Sequence, residues 1–197
     1  MREDKKLDEE FWNNRYLSSN TQWDLSVVSP PLKNYIDQIE NKNVKILIPG
    51  CGNAYEAEYL LQHGFDNITV IDIAPKLVES LQIKFKREPR ITILLGDFFE
   101  LNQKFDLIIE QTFFCALPIK LRQQYAEKIN QLLNKNGKLV GLLFNREFET
   151  EGPPFGGSKE EYMDYFKPYF SFKYFDDCYN SFHKRYGTEL FINLIKK

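Results

Sequence analysis

Metal-ligating side chains are scarce in this chain. Its 197 residues hold three cysteines, Cys51, Cys115 and Cys178, and two histidines, His63 and His183. No two of these five lie at ligand spacing, which argues against a structural zinc site. An odd cysteine count without a secretory signal points to reduced thiols. An excess of one charge is missing too: 26 basic residues stand against 28 acidic ones, a net charge of −2. That balance is a poor match for nucleic acid or an anionic membrane surface. No apolar run approaches the ~18 residues of a membrane-spanning helix. The start, MREDKKLDEEFW, is charged and lacks the apolar core of a secretory signal. Repeats and low-complexity tracts are absent. These absences lead to the expectation of a cytoplasmic protein, monomeric, acting on a small molecule without metal, nucleic acid or membrane.

What is present fits one globular domain spanning 1–197. Apolar residues make up 43% and charged residues 27%, the balance of a chain that buries a sizeable core. The organising stretch is Val44 to Asp72. Val44 to Ile48 reads as a buried strand, Pro49-Gly50-Cys51-Gly52 as a tight turn, and Ala54 to His63 as a helix with Gly64 at its C-cap. Ile68 to Ile73 is a second strand carrying Asp72. This is a βαβ unit suited to a nucleoside. The glycines let backbone N–H groups approach a ligand. Asp72 lies 20 residues beyond Gly52, where a carboxylate can accept both ribose hydroxyls.

Two ligands compete for that pattern. A dinucleotide wants G-x-G-x-x-G, and here Tyr55 fills the third position, blocking close approach to a pyrophosphate. S-adenosylmethionine (SAM), a nucleoside without phosphate, fits better. Alternatively, the two glycines only turn the chain. Cys51 either faces the ligand or fills a small buried space.

Upstream, the first six residues are expected to fray, and Leu7 to Leu17 has helical spacing. Its Trp12 and Tyr16, with Phe11 beside them and Trp23 in TQWD, make residues 1–30 a candidate lid, because aromatic faces suit a sulfonium. Packing on the sheet edge is the competing reading. Arg15 among them either grips a carboxylate or snorkels to water. Pro30-Pro31 opens a helix, and Pro75 opens another that ends before Pro89. Ile91 to Leu95 is the third strand, followed by Gly96-Asp97-Phe98-Phe99. There Asp97 can accept from a purine amine while Phe98 stacks, or Asp97 can simply cap a turn.

Phe105 to Ile109 is the fourth strand, with Asp106 in a structural bond. Glu110 and Gln111 fall at its C-terminal end, where open α/β sheets bind ligands. TFFCALP follows as a greasy wall or a loop tucked on the core. Pro118 begins a long helix that Asn136-Gly137 should end, and Lys138 to Asn145 is the fifth strand. ETEGPPFGG reads as an active-site loop. Ser158 to Glu161 is a capping box opening the last helix, which stops near Pro168. Phe170 to Cys178 and Leu190 to Ile195 are the last strands, with a turn at Gly187.

IPGCGNAYE, VIDIAP, GDFF, FDLIIEQTFFCALP and EGPPFG, behind FWNNRY and TQWD, resemble the thiopurine methyltransferase family, closest to its thiol and halide branch. The likeness runs from about Phe11 to Lys197. It implies a Rossmann-like, doubly wound sheet of seven strands, the last antiparallel, with helices on both faces. It also implies that Trp12, Tyr16 and Trp23 close over SAM, that Gly50 lines its methionine end, and that Asp72 holds the ribose. By the same likeness Asp97 and Phe98 hold the adenine, Gln111 is a further cofactor contact, and Arg185 faces the site. Thiopurine enzymes carry arginines at the positions of Gln111 and Phe182, and both are absent here, which argues against a thiopurine substrate. The expected reaction is methyl transfer to a small thiol, bisulfide or halide, leaving S-adenosylhomocysteine (SAH). No general base is evident. Phe113, Phe114, Pro154 and Phe155 are the expected walls, positioning the reactants. The rivals are a nicotinamide-dependent oxidoreductase and a non-catalytic binding protein on the same scaffold.

Overall fold

Short apolar runs punctuated by glycine and proline become the strands of one sheet. The computed structural model describes residues 6–149 and 152–197. Its strands are β1 (Ile46–Pro49), β2 (Ile68–Asp72), β3 (Ile91–Leu95), β4 (Phe105–Gln111), β5 (Leu133–Phe144), β6 (Phe170–Asp177) and β7 (Glu189–Lys196). They lie in the order β3-β2-β1-β4-β5-β7-β6. β1 to β5 pair in parallel, and β7 runs antiparallel to both β5 and β6. The expected sheet, with its reversed last strand, is observed.

Alternation along the strands feeds two cores. In β1, Leu47 points to one face while Ile46 and Ile48 point to the other. In β4, Ile108 joins the first face, and Leu107 and Ile109 the second. Helices α2 (Pro30–Asp37), α3 (Tyr55–Gln62) and α4 (Pro75–Lys84) cover one face; α5 (Arg122–Leu132) and α6 (Lys159–Phe166) cover the other. Both faces being apolar is what a mostly parallel sheet requires. α1 (Glu9–Leu17) buries no residue fully and packs against α4, where Asn13 accepts the Lys76 amide at 2.7 Å.

Local punctuation behaves as its chemistry dictates. Pro30 and Pro75 open α2 and α4, and Ser158 accepts the Glu161 amide at 3.2 Å to start α6. Gly64 takes φ +83° just past α3. Asp106 accepts the Lys45 amide at 3.0 Å and the Asn134 side chain at 2.7 Å, the structural bond expected of it.

One boundary differs from expectation. The helix after Pro118 does not run to Asn136-Gly137. A 3-10 turn covers Ile119–Leu121, α5 stops at Leu132, and the chain is already paired with β4 at Leu133. Remote lysines explain the early stop. Lys196 on β7 donates to the carbonyls of Asn130 at 2.5 Å and Leu133 at 2.8 Å, and Lys104 donates to that of Gln131. These bonds satisfy carbonyls that a helix end leaves open. Asn136, at φ +62°, is a kink inside the strand. Of the frayed start expected over residues 1–6, positions 1–5 lie outside the described residues, as do 150–151 of the turn-rich loop.

Candidate active site

The parallel strands end on one edge, and the strand order reverses between β1 and β4. Ligands of open α/β sheets bind at such a switch point. Here the edge opens into a cavity of about 520 Å³. Its floor is the glycine turn after β1. Gly50 and Gly52 take φ +54° and +51°, in the left-handed region that side chains rarely adopt. A Cβ on Gly50 would also lie 2.3 Å from Cδ2 of Phe113, so no other residue fits there.

Asp72, at the end of β2, closes one side. It accepts the Ala74 amide at 3.0 Å and the Gly52 amide at 3.4 Å, tying β2 to the glycine turn. Burial pushes its carboxyl up to about 6, against the opposing pull of those amides. Past β3, Asp97 accepts the Phe99 amide at 2.8 Å and so caps a 3-10 turn, while also lining the cavity. Both readings of Asp97 therefore hold in part. Phe98 reaches the cavity but is only 4% exposed, its ring packed with Phe113 and Tyr125 in the core. Its neighbour Phe99 is the more open ring.

At the end of β4, Gln111 lines the cavity with both side-chain amide atoms buried and unpartnered among the described residues. Glu110 beside it is sealed away. Its Oε1 accepts the amides of Phe113 at 2.7 Å and Phe114 at 2.9 Å, and its Oε2 accepts the Tyr125 hydroxyl at 2.5 Å. Burial pushes this carboxyl up to about 7.

The N-terminal rings cover the opening. Trp12 and Trp23 meet edge-to-face at 5.6 Å, and Tyr16 and Trp23 at 5.9 Å, and all three line the cavity. Arg185, 8% exposed, reaches the same cavity from the C-terminal segment. It donates to the Trp23 carbonyl at 2.7 Å and to Glu189 at 3.3 Å. Arg15 lines the cavity with its guanidinium 5.1 Å over the Phe11 ring.

All eight candidate cofactor residues thus converge on one cavity, joined by Arg185 and Phe113. Two expected wall residues do not. Phe114 is 1% exposed and packs against Tyr125, Tyr162 and Phe166 in the core. The 3-10 turn at Phe114–Ala116 sends neighbouring rings in different directions. Phe155 likewise stands outside the lining; its loop presents Pro153 and Pro154 instead. That loop is held by Arg122, which is fully buried. Arg122 donates to Glu161 at 2.7 Å, to the Gly156 carbonyl at 2.7 Å and to that of Phe155 at 3.3 Å. Sequence reasoning missed Arg122 because its partners lie more than 30 residues away. Cys51 and Cys115 also line the cavity, both buried, which raises their thiols, Cys115 to about 12.

SAM suits these groups. A carboxylate edge stands at the turn, rings bound the opening, and an unsatisfied amide waits at the centre. The reversed seventh strand and this cradle together define a SAM-dependent methyltransferase. More narrowly, the chain belongs to the thiopurine S-methyltransferase family, whose profile matches residues 7–191. It is 31% identical over 156 residues to probable thiol methyltransferase 2 of Arabidopsis thaliana, covering 77% of this chain and 69% of that protein. Thiocyanate methyltransferase 1 of Brassica oleracea is 25% identical over 168 residues, covering 82% and 74%. The fold is shared with 1,6-didemethyltoxoflavin-N1-methyltransferase of Burkholderia thailandensis, solved with 1,6-didemethyltoxoflavin and S-adenosylhomocysteine bound. That match has a TM-score of 0.76 at 15% identity over 96% of this chain and 87% of the other.

Proposed function

We propose that this methyltransferase acts on a small soft nucleophile, a thiol, bisulfide or halide, beneath a lid formed by residues 6–30. The observation that carries the reading is the absence of a ready base. Among the described residues, no histidine or lysine lines the cavity. Burial raises the Tyr16 hydroxyl and both cavity thiols. The four carboxylates that line it are all held in structural bonds: Glu56 accepts the Ser29 amide at 3.3 Å, Asp97 that of Phe99 at 2.8 Å, Asp24 that of Ser26 at 2.5 Å, and Asp72 braces the glycine turn. An acceptor that arrives already ionised needs none of these groups. Two relatives named for thiol and thiocyanate methylation support the same class.

When bound, SAM supplies an electrophilic methyl group that an entering nucleophile takes by in-line displacement, leaving SAH. The chain's residues do the holding. Asp72 accepts from the ribose, Asp97 and Phe98 address the adenine, and Gly50 and Gln111 flank the methionine end. Trp12, Tyr16 and Trp23 exclude water above. Phe113, Phe144, Pro153 and Pro154 wall the acceptor side, where Arg185 supplies one positive charge. Keeping Cys51 and Cys115 protonated also prevents the protein from competing as a methyl acceptor. Tyr55 in the third glycine position weighs against a dinucleotide. Net charge −2 and three buried free thiols support a cytoplasmic monomer without a nucleic-acid or membrane partner. Among the described residues, no helix is long and apolar enough to cross a membrane.

Headspace gas chromatography after incubation with SAM and iodide, or bisulfide, tests the acceptor. Methyl iodide or methanethiol is expected. Silence across iodide, bisulfide and a panel of small thiols would remove this acceptor class. A thermal shift with NAD but none with SAH would remove the methyltransferase reading itself.

A further inference from the structure

α1 contributes no fully buried side chain, so burial alone does not fix the rings above the cavity. Trp12 and Tyr16 rest partly buried on the core, and polar contacts add to that packing. The residue after Trp23 is Asp24, and its carboxylate crosses to the glycine turn. One oxygen accepts both the Asn53 side-chain amide and the Tyr55 hydroxyl, the latter at 3.2 Å. The other accepts the Ser26 amide at 2.5 Å, which orients the carboxylate. A carboxylate only accepts, and here it faces two side-chain donors two residues apart, Asn53 in the glycine turn and Tyr55 at the start of α3. Lys84 on α4 braces the far side. Its Nζ donates to the Asn53 carbonyl at 3.3 Å and stands 5.6 Å over the Tyr55 ring.

Tyr55 therefore has a positive role besides its bulk. The position that a dinucleotide fold leaves to glycine carries a hydroxyl that reaches the covering segment. Burial and the neighbouring Asp24 charge both raise this hydroxyl, keeping it a donor.

We propose that Asp24, Asn53 and Tyr55 are positioning residues that clasp Trp23 and its neighbours over the glycine turn and so set how long the cofactor stays bound. The proposal rests on the cofactor reading above and adds to it the groups that close the site. Arg185, holding the Trp23 carbonyl from the opposite side, makes the second point of attachment.

The chain offers its own reporter. Its only two tryptophans, Trp12 and Trp23, both belong to the ring cluster, so selectively excited tryptophan fluorescence reads that cluster alone. Tyr55→Phe removes one hydroxyl and keeps the ring; Asp24→Asn removes the charge. Stopped-flow fluorescence of SAH release is expected to speed up roughly tenfold in each variant, the scale of one charge-assisted hydrogen bond. The double variant is expected to release SAH no faster than the quicker single, since the two groups act as one unit. Unliganded melting temperatures are expected to stay within about 2 °C of the wild type. Acrylamide is expected to quench the unliganded variants more strongly. Unchanged release rates, or effects that multiply in the double variant, would overturn the clasp. If the wild type gives no SAH signal, the cofactor reading fails on its own. The quenching comparison without ligand then still decides the clasp, and equal quenching overturns it.

Discussion

Asp72 ends β2 and Glu110 lies one residue before the end of β4, on either side of β1, and burial raises both carboxyls, to about 6 and about 7. Their surroundings differ. Asp72 borders the cavity and braces a turn within 20 residues of itself. Glu110 never reaches the cavity; it organises the wall by holding two loop amides and a tyrosine from α5. One half of the site is a local motif that offers a charge to a ligand. The other half is assembled from remote polar pairs that shape apolar surfaces. A raised carboxyl is thus no guide to function until the cavity shows which way it faces.

Breaking the remote half should cost the most stability. Arg122→Ala frees two loop carbonyls and leaves Glu161, 36% exposed, to water, and urea unfolding is expected to show a loss of about 1.5–3 kcal/mol, the scale of hydrogen bonds to a charged group. Calorimetry should find SAH affinity changed far less. If affinity falls as much as stability, the two halves are not separable. Asp72→Asn should do the reverse. SAH binding is expected to weaken by about 1.5–3 kcal/mol, as for a lost hydrogen bond to a charged group, with little change in the unliganded melt. Unaltered affinity would move the ribose contact elsewhere.

Glu110→Gln sharpens the contrast through pH. The folded value of about 7 exceeds the ordinary 4.5, so the fold favours the neutral acid. Stability from this group is complete below about pH 4.5 and is lost as pH rises through 7. Glutamine keeps an acceptor for both amides and cannot ionise. Thermal melts should show the variant more stable than wild type at pH 8, by about 1–3 kcal/mol, with the gap closing toward pH 5. A constant gap would mean that Glu110 does not titrate there. The smallest effect is expected from Gln111→Ala. Its unpartnered amide has no structural bond to lose, so the melt should stay put while SAH binding weakens by about 1 kcal/mol. A fall in stability without a fall in affinity would make Gln111 part of the scaffold.

The legible part of the molecule was the part with short range. The strand, glycine turn and acid from Val44 to Asp72 could be read directly, because each group contacts its neighbours in sequence. The early end of α5 could not. Asn136-Gly137 has the look of a helix stop, but Lys196 and Lys104, 66 and 27 residues from the carbonyls they hold, mark where the helix ends. Adjacent phenylalanines posed the same difficulty. Phe113 packs against Gly50 at the cavity and Phe114 sinks into the core, a choice made by a 3-10 turn and by Glu110 beneath it.

By itself the sequence determined a βαβ unit suited to a nucleoside at one strand edge, and its family likeness chose SAM over a dinucleotide. Apolar periodicity, a two-glycine turn and an acid at fixed spacing act through nearby backbone, and their meaning survives in one dimension. Only the tertiary structure decided which rings line the cavity, which buried acid borders it, and which polar groups meet the covering segment. Those outcomes depend on side chains from distant parts of the chain competing for one small volume, and burial strengthens each polar contact made there.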